Sequence, residues 1–192
     1  MRITISFLLI VVSVVSVAAQ GGGRLELWAD QGQSTCQIVE SPSGLTEVHM
    51  FHMGNISTGG IRYFVVGMPG CWTGATWVGD EPASGLTALG STQNEFFGIS
   101  ISWGECRNLP VYLGKIVYAT MGQSQPCCDI EITNPITEQG PVTQECSTPT
   151  SLYLVETRGA IVNGSSACPC AGPVPVEQAT WGSIKSLYTH TP

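Results

Sequence analysis

Eight cysteines, Cys36, Cys71, Cys106, Cys127, Cys128, Cys146, Cys168 and Cys170, constrain this chain more than any other feature of its sequence. An even count behind an apolar leader points to disulfides formed in an oxidising compartment. Structural zinc is the competing reading, but zinc knuckles space their ligands as Cys-x2-4-Cys. Here the close pairs are the adjacent Cys127-Cys128 and the one-residue-spaced Cys168-Pro169-Cys170. Neither close pair can bridge internally without strain. Cys127 and Cys128 must therefore reach different partners and staple their strand to two neighbours. Across the turn at Asn134-Pro135, Cys146 is the first expected partner for one of them. Eight cysteines allow about a hundred pairings, and the sequence leaves the rest open. Catalytic thiols favour Cys-x-x-Cys, so the Cys-Pro-Cys run is read as structural.

The leader fits the same compartment. Met1 and Arg2 give a short positive start, Ile3 to Val17 is mostly apolar, and Val17-Ala18-Ala19 places small residues for cleavage. Residues 1–19 are read as a secretory signal peptide cut after Ala19. A membrane anchor would need about 20 apolar residues, and this run is interrupted by Thr4, Ser6, Ser13 and Ser16. No later stretch is long and apolar enough to span, so no membrane span is expected after cleavage. Fourteen acids against seven bases give a net charge of −7. Without clustered Lys and Arg, nucleic acid and anionic lipid are poor partners.

Residues 20–170 read as one all-β domain. In Phe97-Gly98-Ile99-Ser100-Ile101-Ser102-Trp103 the apolar side chains Phe97, Ile99, Ile101 and Trp103 fall on one face and small or polar ones on the other. Strands are also expected over 24–29, 46–52, 61–66, 111–120, 129–133 and 152–157, from β-branched, aromatic or alternating residues. Turn chemistry separates them at Ser41-Pro42-Ser43-Gly44, Gly59-Gly60, Met68-Pro69-Gly70, Asn108-Leu109-Pro110 and Asn134-Pro135. Residues 61–66 and 113–118 are apolar on both faces, as central strands are. Short strands without helices between them indicate a two-sheet antiparallel β-sandwich, Ig-like and disulfide-stapled, with a β-barrel as the alternative. No internal repeat supports a propeller or solenoid.

Residues 171–179 read as a proline-rich linker, since proline fixes φ. Over 180–192, Thr180 can cap a short helix that puts Trp181, Ile184, Leu187 and Tyr188 on one face. So short a helix needs a surface to lie on: either it folds back on its own sandwich or it is a docking or sorting segment for another protein.

Five stretches taken together carry a resemblance: Cys71-Trp72-Thr73-Gly74-Ala75-Thr76-Trp77-Val78-Gly79-Asp80, Cys127-Cys128, Gly159-Ala160-Ile161-Val162-Asn163, Cys168-Pro169-Cys170, and Thr180-Trp181-Gly182-Ser183-Ile184-Lys185-Ser186-Leu187-Tyr188. The chain resembles a group of small exported, cysteine-rich bacterial proteins known mostly from environmental genomes. The resemblance implies a bacterial setting and a tail related to sorting or attachment. It implies no catalytic residue. Related tails stop at a basic residue after the tyrosine, whereas this chain continues Thr189-His190-Thr191-Pro192.

The motifs of common enzyme families are missing from the sequence. There is no Gly-x-Ser-x-Gly elbow, His-Glu-x-x-His helix, EF-hand loop, phosphate loop or dinucleotide fingerprint, and no cofactor is implied. His49 and His52, three apart on an expected strand, point to opposite faces and do not form a joint metal site. Asp80 and Glu81, on an expected loop, are candidate calcium ligands. Trp103 and Trp72 read as core, with Trp72 against a disulfide; Trp77 is the tryptophan expected to contact a ligand such as a sugar. Asn55-Ile56-Ser57 and Asn163-Gly164-Ser165 match glycosylation sequons but count as loops in a bacterium. The reading is a noncatalytic binding or structural module of the bacterial envelope or extracellular space, whether periplasm, cell surface or medium. Its expected partner is a protein or a glycan. The alternatives are a carbohydrate-binding protein and a hydrolase with an unrecognised site.

Overall fold

Ile99, Ile101 and Trp103 are buried while Ser102 between them faces solvent, which is the two-residue period of a strand with one face on a core. The computed structural model describes residues 21–146 and 152–169. Among them the strands run in order β1 Arg24–Trp28, β2 Gln37–Ile38, β3 Gly44–Met53, β4 Ser57–Val66, β5 Thr76–Pro82, β6 Thr87–Gly90 and β7 Ile99–Asn108. They continue with β8 Val111–Thr120, β9 Cys128–Ile130, β10 Ile132–Thr133, β11 Val142–Glu145, β12 Leu152–Leu154, β13 Glu156–Arg158 and β14 Ala160–Val162.

Two sheets pack face to face as an Ig-like β-sandwich. The first has the order β13-β1-β3-β8-β5, and the second β12-β11-β4-β7-β6 with β10 added to the end of β4. A third, small sheet β2-β14-β9 closes one side. Most pairings are antiparallel, as expected, but β1 pairs with β13 and β2 with β14 in parallel. Leu25, Leu27, Val48, Met50, Leu113 and Ile116 come from the first sheet, while Ile61, Phe64, Ile99 and Ile101 come from the second. Each such side chain, fully buried, contributes about 1.5–3 kcal/mol. The centrality expected for 61–66 and 113–118 follows from the strand order, since β4 and β8 each lie between two neighbours.

Several expectations are corrected. Phe97 does not join the apolar face; it is 63% exposed. Asn94 accepts hydrogen bonds on its side-chain oxygen from the amides of Phe96 (3.0 Å) and Phe97 (3.2 Å), so a turn precedes the strand. Gly98 closes that turn at φ +65, where a Cβ would meet the Phe64 carbonyl oxygen at 2.5 Å. Gly59 and Gly60 form no turn but lie inside β4, where a Cβ on Gly60 would come within 2.7 Å of the Ile101 carbonyl of β7. Residues 129–133 split into β9 and β10, and 152–157 into β12 and β13, each half in a different sheet. Val155, at the second break, is buried.

The chain enters the sandwich through a slot. Gly22 donates its amide to the Leu154 carbonyl (2.9 Å). A Cβ there would stand 2.7 Å from the Thr143 methyl, and one on Gly23 (φ +83) 2.3 Å from the Met53 carbonyl oxygen. Beside the slot, the buried Glu26 carboxylate is held by Arg24, by the Trp28 indole N–H (2.9 Å) and by Arg158 (3.8 Å), which fastens β1 to β13.

Disulfides join Cys71 to Cys128, Cys106 to Cys146 and Cys127 to Cys168. Adjacent Cys127 and Cys128 thus reach different partners. The expected pairing of Cys146 with one of them is wrong: β11 and β7 flank β4, and Cys146 at the end of β11 meets Cys106 where β7 carries extra residues between the partners of Thr58 and Gly60. Cys36 is disulfide-bonded as well. Cys170, the signal peptide 1–19, the linker 171–179 and the docking segment with Trp181, Ile184, Leu187 and Tyr188 lie outside the described residues.

Candidate binding face

Strand register lays two rows of side chains across the outer face of the second sheet. One row runs Leu154, Val142, Arg62, with Ser100 and Leu89 continuing it beyond an irregularity in β4. The other runs Leu152 and Gln144, then Gly60, Ser102 and Thr87. Directly paired residues share a face, so these side chains all point away from the core. Leucines stand at the two edges, Leu89 at 79%, Leu152 at 57% and Leu154 at 65% exposure. The middle is small and polar.

That middle is a trough of about 620 Å³. Gly59, Gly60, Ser100, Ser102 and Gly104 form its floor, and Leu89 and Thr87 one wall. Gln144, Glu145 and the Cys106–Cys146 bridge form the opposite end. Space is left by side chains that are absent: a Cβ on Gly59 or Gly104 would meet nothing within 4 Å.

Tyr63 lines the trough with φ +60, a left-handed conformation that costs a side-chain-bearing residue about 1–2 kcal/mol. The strain sits where the register between β4 and β7 shifts, between Ile61 and Phe64. Its amide donates to the Ser100 hydroxyl at 3.4 Å. A bulge of this kind re-aims a side chain that a regular strand would point elsewhere. Beside it Arg62 is exposed and enters no ion pair among the described residues, whereas Arg24, Arg107, Lys115 and Arg158 all do. Glu105 at the trough is engaged by Arg107 (3.0 Å). The arrangement offers a free cation, an aromatic ring, hydroxyls and apolar rims: groups suited to holding a surface.

The residues singled out from sequence lie elsewhere. Asp80 and Glu81 are on β5, not on a loop. Asp80 accepts from the Thr92 amide (2.8 Å) and hydroxyl (2.6 Å), and Glu81 pairs with Lys115 at 3.2 Å. Being adjacent on a strand, they point to opposite faces, and no cluster of three metal-ligating side chains occurs among the described residues. Trp77, also on β5, is half-buried against the core with its indole N–H 3.4 Å from Asp80. Trp72 is buried 4.5 Å, ring to ring, from Tyr118, and Trp103 is buried.

His49 and His52 sit on β3 of the other sheet. The His49 ring pairs with the Tyr112 hydroxyl at 2.9 Å, and burial holds its pKa below the ordinary value despite the pull of Glu47. His52 is fully buried and donates from Nε2 to the Gly22 carbonyl (2.7 Å), leaving Nδ1 a buried acceptor without a partner. Burial pushes its pKa down to about 4, against the smaller upward effect of that hydrogen bond.

Sequence reasoning missed the trough. Its one local signal was the small outward face of Ser100 and Ser102 between buried neighbours; the rest depends on which strands lie side by side.

No family model and no curated protein matches the chain. Among solved structures, it is similar to the sixth cohesin of scaffoldin B from Acetivibrio cellulolyticus, solved in complex with a dockerin, at TM-score 0.49 and 9% identity over 75% of this chain and 99% of that one. It is also similar to the seventh type I cohesin of ScaB from Pseudobacteroides cellulosolvens, at TM-score 0.46 and 7% identity over 76% of this chain and 95% of that one. The sandwich assignment rests on the strand pairing described above.

Proposed function

We propose that the protein is a noncatalytic binding module, exported to the bacterial envelope or beyond, whose trough on the second sheet receives a segment of a partner protein. The observation that carries this reading is Tyr63, held left-handed at the trough beside the unpaired Arg62. Strain of this kind persists where the surrounding structure enforces it and clusters at functional sites. The Gly and Ser floor lets another backbone approach closely, and exposed leucines at both edges provide apolar anchors. Export rests on the leader and the cysteine usage.

A glycan platform has less support. Trp28, Trp72 and Trp103 are buried, and Trp77 is half-buried beside Asp80, on the other sheet. Among the described residues the tryptophan faces, which are broad enough to stack on sugars, are therefore largely committed to the core.

The test places a photo-cross-linking residue at Leu89 in the exported protein, in the cells that secrete it. A discrete protein adduct that disappears in an Arg62→Glu, Tyr63→Ala variant is expected. A glycosidase-sensitive adduct would favour the glycan instead, and an adduct indifferent to both substitutions would remove the trough from consideration.

A further inference from the structure

A second surface stands apart from the trough, at the tip formed by the loop before β7 and the loop after β10. Phe96 is 60%, Phe97 63% and Ile136 69% exposed. Three bulky apolar side chains at one tip are unusual for solvent-facing positions. The backbone holding them is tied at several points. Asn94 accepts the amides of Phe96 and Phe97 on its side chain and that of Gly98 (2.7 Å) on its carbonyl, and donates its own amide to Ser91 (3.1 Å). The second loop is joined to the first: Ile136 donates to the Glu95 carbonyl (2.8 Å), and Thr137 donates its amide (3.3 Å) and its hydroxyl to the Phe96 carbonyl. Gly98, wedged against Phe64, fixes the exit. These rings are thus presented on a preorganised support, which lowers the entropy cost of binding through them.

Charge selects among occupants. Glu95 adjoins Phe96 and Glu138 follows Ile136 closely, both exposed. None of the described cations serves the tip: Arg24 and Arg158 hold Glu26, Arg107 holds Glu105, Lys115 holds Glu47 and Glu81, and Arg62 belongs to the trough. A second copy would set these acids against themselves, and an anionic membrane would repel them in a chain of net charge −7. We infer that the Phe96/Phe97/Ile136 tip is a docking surface for a protein partner whose apolar pocket is rimmed by Lys or Arg.

The probe is a fluorescein-labelled amphipathic helical peptide of leucine and lysine, titrated with the oxidised protein and read by anisotropy. Binding is expected to weaken about tenfold or more in Phe96→Ser, Phe97→Ser, which corresponds to about 1.4 kcal/mol, and to weaken in Glu95→Gln, Glu138→Gln. Rising salt should weaken it as well, while Val39→Ser, an exposed apolar position outside both surfaces, leaves it unchanged. Equal affinity of the two-phenylalanine variant and the parent would overturn the inference, since acidic surface alone would then explain binding. Equal affinity for a leucine and glutamate peptide would do the same. Phenylalanine-dependent binding to phosphatidylcholine vesicles without peptide binding would assign the tip to lipid, and a dimer abolished by the same variant would assign it to a second copy.

Discussion

Acidification should weaken this fold through one side chain in particular, His52. The ring is wholly buried under the entering segment, with Nε2–H on the Gly22 carbonyl and Nδ1 unpartnered. Its pKa falls from 6.5 to about 4 on folding. Between those values the unfolded chain binds a proton that the folded chain refuses, so stability rises with pH there and is lost as pH falls from 6.5 toward 4. Worked from the two pKa values, the loss is about 1.4 kcal/mol at pH 5.5 and about 2.5 kcal/mol at pH 4.5, levelling off below pH 4. The assay is urea unfolding of the disulfide-intact protein at pH 7.5, 6.5, 5.5 and 4.5, paired with His52→Gln. Glutamine can keep the hydrogen bond to Gly22 and does not titrate. His49, shifted downward by burial as well, remains in both proteins and cancels in the difference. Parallel pH profiles for parent and variant would refute the reasoning, because the buried ring would then accept its proton as readily as an unfolded one.

Peptide mapping without reduction should recover Cys71–Cys128, Cys106–Cys146 and Cys127–Cys168 together with a bridge to Cys36, and the Cys106→Ser, Cys146→Ser pair should lower stability in urea by about 4 kcal/mol, from the loop it closes; a loss below 1 kcal/mol would show the bridge to be dispensable. Tyr63→Gly removes the left-handed strain along with the ring, so its cost should stay under about 1 kcal/mol, against about 3–5 kcal/mol for truncating a well-packed aromatic. A cost in the latter range would mean that Tyr63 serves packing.

Much of the architecture was legible locally. Ile99, Ile101 and Trp103 alternate with small residues, and that period is set by the pleat alone. Phe97 continued the pattern in sequence, yet Asn94 captures its amide and the strand starts only after Gly98. Asp80 and Glu81 read as a loop because Gly79 and Pro82 beside them are turn residues. They lie in strand β5 nonetheless, past a register shift between Trp77 and Gly79, because β8 supplies Ile116 and Lys115 as their partners. The trough was illegible for a related reason. Its parts come from β4, β6, β7 and β11, and its shape from a shift at Tyr63 that only pairing with β7 creates. Sequence shows which face of a strand is small; it does not show that four such faces meet.

The slot around Gly22 and Gly23 bears on the order in which the molecule can be assembled. β1 can pair early with nearby β3, but the residues that close over Gly22, namely Thr143, Tyr153 and Leu154, are made near the other end of the described chain. Of the described residues, those made first are therefore sealed among the last, and the sandwich stays open at that seam until its final strands arrive. Contacts so distant in sequence slow folding. Any residue larger than glycine at the seam would be felt at this closing step, after most of the core had already formed.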